Sequence, residues 1–127
     1  MLTVYRASAG AGKTHKLTGE YLTLLFGGTG AYRRILAVTF TNKATDEMKS
    51  RIVEELYNLS SGRKSDYVES LRATYALTEE QVRKQAKKIL TDILHDYSAF
   101  NISTIDRFFQ QTMRAFTREI GLQGGYG

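Results

Sequence analysis

A glycine-rich segment near the N-terminus combines the residue types that hold a phosphate chain. Residues 7–14 are Ala-Ser-Ala-Gly-Ala-Gly-Lys-Thr. Gly10 and Gly12 permit backbone angles that direct consecutive N–H groups toward one anion at the start of a helix. Lys13 would place its ammonium beside the β- and γ-phosphates, and the Thr14 hydroxyl would be an oxygen ligand to a phosphate-bound Mg²⁺. The segment therefore predicts a phosphate-binding loop, with alanine where the first glycine usually stands.

Such a loop needs a strand before it and a helix after it. Residues 2–5 form a short apolar run, and residues 16–26 carry apolar residues at helical spacing, among them Leu17, Tyr21 and Leu25. Both flanking elements are thus predicted. The alternative is a flexible turn, rich in alanine and glycine, between a strand and a helix.

The composition restricts the class of protein. With 127 residues the chain has the size of one modest domain, and its net charge of +5 permits nucleic-acid binding without requiring it. There is no cysteine, so disulfides and thiolate metal sites are excluded, and His15 and His95 lack carboxylates at ligand spacing. Because the sequence has no leader peptide and no apolar run that could cross a bilayer, we expect a soluble, cytoplasmic protein without membrane association.

Polar residues follow a second predicted strand. The run at 35–40 is apolar and partly β-branched, as in a strand buried on both faces of a parallel sheet. The next helix would pack Ala44, Met48, Ile52 or Val53, and Leu56 on that sheet. Thr41, Asn42 and Lys43 lie at the junction, where ligands bind in open α/β sheets and where helix starts hold phosphate. Plain helix capping is the alternative.

The middle of the chain is predicted to be helical. A polar loop at 60–65 precedes a short helix at 66–76, and Thr78 with Gln81 has the form of a capping box that opens a helix to about Tyr97. The apolar side of this helix comprises Val82, Ala86, Ile89, Leu90, Ile93, Leu94 and Tyr97. Its basic residues are Arg83, Lys84, Lys87 and Lys88. Acidic residues four positions away favour a solvated, internally compensated face over a DNA-binding one.

A third strand and a final helix restore the alternation. The strand is predicted at 100–105 and the helix at 106–119, before a glycine-rich end. The apolar side of this helix would comprise Phe108, Phe109, Thr112, Met113 and Phe116. Asp106 is a weak candidate for the Mg²⁺-binding aspartate of a nucleoside triphosphatase, because Arg107 rather than a carboxylate follows it.

Three segments together resemble the UvrD/Rep-type superfamily 1 DNA helicases. Residues 7–14 are similar to the Walker A motif of that family. Residues 39–48, Thr-Phe-Thr-Asn-Lys-Ala-Thr-Asp-Glu-Met, resemble motif Ia, and residues 102–109, Ile-Ser-Thr-Ile-Asp-Arg-Phe-Phe, resemble motif Ib. The sequence at 5–15 most resembles that of the RecB/AddA exonuclease-helicase branch. Asp106 stands where the family usually has histidine, which puts a phosphate contact there in doubt.

The resemblance implies a fold and a division of the chain. The expected fold is α/β, a P-loop NTPase (RecA-like) three-layer α/β/α core with a parallel sheet, truncated, with a helical insertion. Residues 1–59 and 99–120 would form the core of the N-terminal part of motor domain 1A, and residues 60–98 the insertion.

The resemblance also implies site residues. Lys13 and Thr14 would bind ATP and Mg²⁺ and would be the catalytic residues, with Thr14 as the metal ligand. The nucleotide site would comprise Ala7, Ser8, Ala9, Gly10, Ala11, Gly12, Lys13, Thr14 and His15. The track for single-stranded DNA would comprise Thr41, Asn42, Lys43, Thr104 and Phe108.

The implied function is the N-terminal ATP-binding portion of an ATP-dependent 3′–5′ DNA helicase in double-strand-break repair, for which a second helicase-nuclease subunit is a candidate partner. In helicases of this family, a strand carrying Asp-Glu supplies a Mg²⁺ ligand and the base that activates water, and arginines of a second motor domain stabilise the transferring phosphoryl group. Neither feature is in the sequence, so we expect a piece of a larger motor that binds nucleotide without turnover. Two alternatives remain open. One is a small P-loop kinase or phosphotransferase, and the other is a non-catalytic module that binds nucleotide or single-stranded DNA.

Overall fold

A computed structural model describes residues 11–28 and 30–122 of the chain, and it describes the side chains at 15–28 and 30–120. The elements in order are α1 (Ala11–Leu25), β1 (Ala37–Thr39), α2 (Asn42–Ser61), α3 (Val68–Tyr75), α4 (Glu79–His95), β2 (Ile102–Thr104) and α5 (Ile105–Leu122). Short 3₁₀ turns lie at Ala31–Arg33 and Tyr97–Ala99. The strand predicted at 2–5 lies outside the described residues. The described part is mostly helical with a small parallel sheet, which is compatible with an α/β protein; the three-layer core stays a prediction.

β1 and β2 pair in parallel. Their register places Ala37 opposite Ile102 and Thr39 opposite Thr104. Both strands are shorter than the runs predicted at 35–40 and 100–105, and a helix begins close to the carboxyl end of each. Phe40, predicted as part of a buried strand, lies beyond β1 and is 51% exposed.

α2 is the central helix of the described structure. It buries Met48, Ile52 and Leu56, as predicted, and it buries Thr45 where the sequence favoured Ala44. Its last residue is followed by Gly62 at φ 74°, a left-handed conformation that suits glycine and ends the helix. The long buried face makes α2 the support on which the other elements pack.

One hydrophobic core joins the predicted α/β part to the predicted insertion. Tyr21 and Leu25 of α1 and Ile52 of α2 belong to the same buried cluster as Ala86 and Ile93 of α4. α4 makes the most extensive helix packing of the described structure, against α2. The two parts therefore share their buried surface, and their separation into core and insertion stays a prediction.

α4 begins with the predicted capping box. The Thr78 hydroxyl accepts from the Gln81 N–H, and the Gln81 side chain accepts from the Thr78 N–H. The helix ends at His95, earlier than predicted, and the expected packing of Leu94 and Tyr97 is wrong: they are 55% and 45% exposed. A turn at Tyr97–Ala99 follows the helix, and the Tyr97 ring packs edge-on against the buried Phe100 with 5.7 Å between ring centroids.

α5 contradicts the packing expected of it. The helix forms where predicted, but Phe109, Met113 and Phe116 are 61%, 44% and 56% exposed. Its main contacts are with β2 and β1. Because these are short strands at its start, the rest of its apolar side is uncovered within residues 11–28 and 30–122. None of the helices described there is both long and apolar enough to span a membrane.

Candidate functional site

The start of α1 coincides with the end of the predicted phosphate-binding loop. α1 is described from Ala11, so Gly12, Lys13 and Thr14 are helical and lie N-terminal to the helix predicted at 16–26. The first N–H groups of a helix have no acceptor within the helix and carry its positive end, which suits an anion. Ala7, Ser8, Ala9 and Gly10 lie outside the described residues. The nucleotide contacts of the loop stay a prediction.

His15, predicted to be part of the nucleotide site, is held by the loop between α2 and α3. Its ring stacks on Tyr67 with 4.8 Å between centroids, and its Nε2 lies 3.3 Å from Asp66 Oδ2. About half of the His15 side chain is exposed. The imidazole therefore has a defined orientation beside the first turn of α1, and its contact with a nucleotide stays a prediction.

The two segments predicted to bind single-stranded DNA meet at one edge of the sheet. Thr39 pairs with Thr104 at the carboxyl ends of β1 and β2, and α2 and α5 both begin at this edge. Residues 41–43 and residues 104–108, far apart in sequence, therefore follow paired strand ends at the same edge of the sheet. We call this the strand-end edge.

Thr41 and Thr104 cap the two helices. The Thr41 hydroxyl accepts from the Ala44 N–H at 3.0 Å, and the Thr104 hydroxyl accepts from the Arg107 N–H at 3.2 Å. The capping role that the sequence left open for 41–43 is thus confirmed for Thr41. Capping and ligand binding are compatible, because the remaining first-turn N–H groups still point out of each helix.

Asn42 and Lys43 present the free polar groups of the strand-end edge. Both are exposed, and no partner from the described part of the chain hydrogen-bonds or ion-pairs with either side chain. Neither side chain therefore stabilises the described part of the fold through a polar contact, and both remain available to a ligand.

A buried chain of hydroxyls makes the strand-end edge rigid. Thr39 Oγ1 and Thr45 Oγ1 are 2.6 Å apart in the core, and the Thr45 hydroxyl donates to the Thr41 carbonyl at 3.2 Å. Consecutive hydrogen bonds in a low-dielectric interior strengthen one another. The Thr41 backbone is therefore tied to both β1 and α2, which fixes where α2 presents its first turn.

Sequence reasoning did not include Phe40 among the candidate site residues. Its ring is 51% exposed directly before Thr41, while Phe108 on α5 is partly buried. An exposed ring at the strand-end edge is a surface on which a nucleobase can stack. The available signal was Thr41 itself, because an N-cap ends the strand and so frees the residue before it.

Comparison with known proteins gives the family. Residues 2–126 match the family model described as the UvrD/REP helicase N-terminal domain. The chain belongs to this family. No solved structure matches it.

Individual relatives agree with the family. The chain is 32% identical over 114 residues to the RecBCD enzyme subunit RecB of Borreliella burgdorferi, covering 90% of this chain and 9% of that protein. It is 32% identical over 121 residues to an ATP-dependent helicase/nuclease subunit of Lactobacillus acidophilus, covering 94% of this chain and 8% of that protein. It is 48% identical over 50 residues to the ATP-dependent DNA helicase Rep of Escherichia coli, covering 39% of this chain and 7% of that protein. The resemblance inferred from the motifs is confirmed, and the chain spans less than a tenth of these relatives.

Proposed function

We propose that these 127 residues are the N-terminal ATP-binding portion of an ATP-dependent DNA helicase that moves 3′ to 5′ on single-stranded DNA in double-strand-break repair. The family and the names of its relatives support the helicase activity. The observation that carries the proposal is the parallel register of β1 and β2, which places two predicted DNA-binding segments at one edge.

ATP with Mg²⁺ is the proposed cofactor of the first turn of α1. The donor set fits it, because Lys13 and Thr14 lie in the first described turn of α1. Lys13 would neutralise the β- and γ-phosphates, and Thr14 would ligate Mg²⁺. The bound nucleotide supplies the free energy of phosphoryl transfer. The residues of this chain bind and orient it.

Single-stranded DNA is the proposed ligand of the strand-end edge. Exposed N–H groups at the starts of α2 and α5 and the ammonium of Lys43 would hold phosphates, while Phe40 and Phe108 would stack on bases. Thr41 and Thr104 act by orienting the two helix starts that they cap. A RecA-like three-layer core, motor domain 1A and a second helicase-nuclease subunit belong to the same proposal.

We further propose that the 127 residues bind nucleotide without turnover. Phosphoryl transfer needs a carboxylate that orients water and an arginine that stabilises charge, and an arginine finger alone accounts for about 10³- to 10⁵-fold in rate. The three motifs supply phosphate and DNA contacts but neither of those groups.

The nucleotide site is tested by titrating the protein with a fluorescent ATP analogue and Mg²⁺, with Lys13→Ala as the comparison. Binding by the wild type and its loss in Lys13→Ala are expected. Equal affinity of the two proteins would refute the phosphate-loop assignment. ATP hydrolysis that is indifferent to DNA would favour the small phosphotransferase instead.

The DNA site is tested by the salt dependence of oligo-dT binding, measured by fluorescence anisotropy. Lys43→Ala should lower the slope of log K against log salt by about 0.7, as for one lost phosphate contact on a single strand. Lys87→Ala is the matched control, because it removes the same charge from an exposed position on α4. A lower slope in Lys87→Ala alone would assign DNA binding to the basic face of α4.

A further inference from the structure

The loop between α2 and α3 contacts α1 next to the predicted phosphate-binding residues. The Tyr67 hydroxyl donates to the His15 main-chain carbonyl at 2.9 Å, and the Tyr67 ring stacks on the His15 imidazole. Asp66 Oδ2 lies 3.3 Å from His15 Nε2. Because His15 directly follows Thr14, these contacts are made to the turn of α1 that carries the predicted ATP and Mg²⁺ contacts.

The position of Tyr67 against α1 depends on the absence of a side chain at Gly19. A Cβ at Gly19 would lie 2.9 Å from Tyr67 Cε1, which is closer than carbon atoms can approach. The Tyr67 side chain packs against α1 and is only 7% exposed. Burial, followed by the charge of Glu55, raises the pKa of Tyr67, although Arg51 opposes this. The phenol thus keeps the proton that it donates.

A second tyrosine makes the same kind of contact at the other end of α1. The Tyr75 hydroxyl donates to the Thr23 carbonyl. Each of the two bonds joins residues 52 positions apart, so α3 runs alongside α1 in the same direction. Only the Tyr67 bond lies near the predicted nucleotide contacts, whereas the Tyr75 bond lies near the end of α1. Comparing the two tyrosines therefore distinguishes a contact that stabilises α1 as a whole from one that positions its first turns.

We propose that Tyr67 is a positioning residue for nucleotide binding, which fixes the first turns of α1 in the conformation that binds Mg-ATP. The proposal rests on the proposed ATP site. Under this proposal, the region predicted as an insertion helps to position the nucleotide site. Because binding couplings are reciprocal, bound Mg-ATP must stabilise the Tyr67 contact by the same factor by which Tyr67 strengthens nucleotide binding.

The test compares Tyr67→Phe with Tyr75→Phe, each of which removes one hydroxyl that donates to a carbonyl of α1. Fluorescent ATP binding and thermal stability are measured for both variants, for the wild type and for Lys13→Ala. Tyr67→Phe should raise the Kd for Mg-ATP by more than about twofold and by at most about tenfold, because the energy of one net hydrogen bond is the upper limit of the effect. Tyr75→Phe should change the Kd less than twofold while losing similar stability.

Equal effects of the two variants on the Kd, or no effect of Tyr67→Phe, would overturn the proposal. In that case wild-type binding that Lys13→Ala abolishes would leave the ATP site itself intact. No nucleotide binding by the wild type would overturn both.

A measurement on the wild type covers the case in which Tyr67→Phe does not fold. Saturating Mg-ATP should slow amide hydrogen exchange at 62–70 and leave exchange at 72–78 unchanged. Protection confined to α1 would refute the coupling.

Discussion

Tyr21 carries a polar atom that the described structure leaves unpaired in the core. Its side chain is 0% exposed, packed edge-on against Phe100 with 5.8 Å between ring centroids. Within residues 11–28 and 30–122, its hydroxyl has no hydrogen-bond partner. A buried hydroxyl without a partner costs about 1–3 kcal/mol relative to its hydrated state. Tyr21→Phe removes the hydroxyl and keeps the ring that fills the core.

We expect Tyr21→Phe to raise the free energy of unfolding by about 1–2 kcal/mol at pH 7. For a chain of this size that corresponds to about 4 °C in Tm per kcal/mol. Urea unfolding followed by circular dichroism measures the change. Tyr57→Phe is the control, because Tyr57 is 49% exposed and its replacement should have little effect. A loss of stability in Tyr21→Phe would refute the reasoning and show that the hydroxyl has a partner beyond the described residues.

The pH dependence gives a second check on Tyr21. Burial raises its pKa above the ordinary value of 10.0. Below pH 10 the phenol is protonated in both the folded and the unfolded chain, so stability is unaffected. Above pH 10 only the unfolded chain releases the proton, and stability falls by about 1.4 kcal/mol per pH unit for this group. Tyr21→Phe should therefore lose stability less steeply than the wild type between pH 10 and 11, and equal slopes would contradict the assignment.

Substitutions at three further positions test the fold. Thr41→Ala should lower the free energy of unfolding by about 1 kcal/mol through loss of the α2 cap, and Thr41→Ser should restore it in urea titrations. Ile52→Ala should cost about 2–5 kcal/mol because the side chain is 0% exposed, with a lower urea midpoint as the readout. Phe109→Gln should leave stability within about 0.5 kcal/mol, because the ring is 61% exposed, and should reduce the fluorescence of a bound hydrophobic dye.

The features that the sequence predicted well are those decided by neighbours along the chain. The capping box at Thr78 and Gln81 forms as expected, because it needs only two side chains three positions apart. The buried positions Met48 and Leu56 on α2 follow from the 3.6-residue period of a helix. The motif segments likewise identified the family, because they are contiguous.

The candidate site was predicted in its parts and not in its arrangement. Residues 41–43 were selected correctly as a helix start, but their proximity to Thr104 follows from the register of two strands that lie far apart in sequence. The exposure of Phe40 also escaped prediction. An apolar run looks the same whether its last residue ends a strand in the core or lies outside it.

Sequence by itself determined the starts of α2 and α4, the buried face of α2 and the family of this protein, since each depends on local spacing and chemistry. Tertiary structure alone decided that the apolar side of α5 is uncovered in the described part of the chain and that Tyr67 holds α1 at His15. The Tyr67 contact joins residues 52 positions apart, and a side chain's partner at such a distance is set by how whole helices pack. The spacing of apolar residues along the chain does not predict that packing.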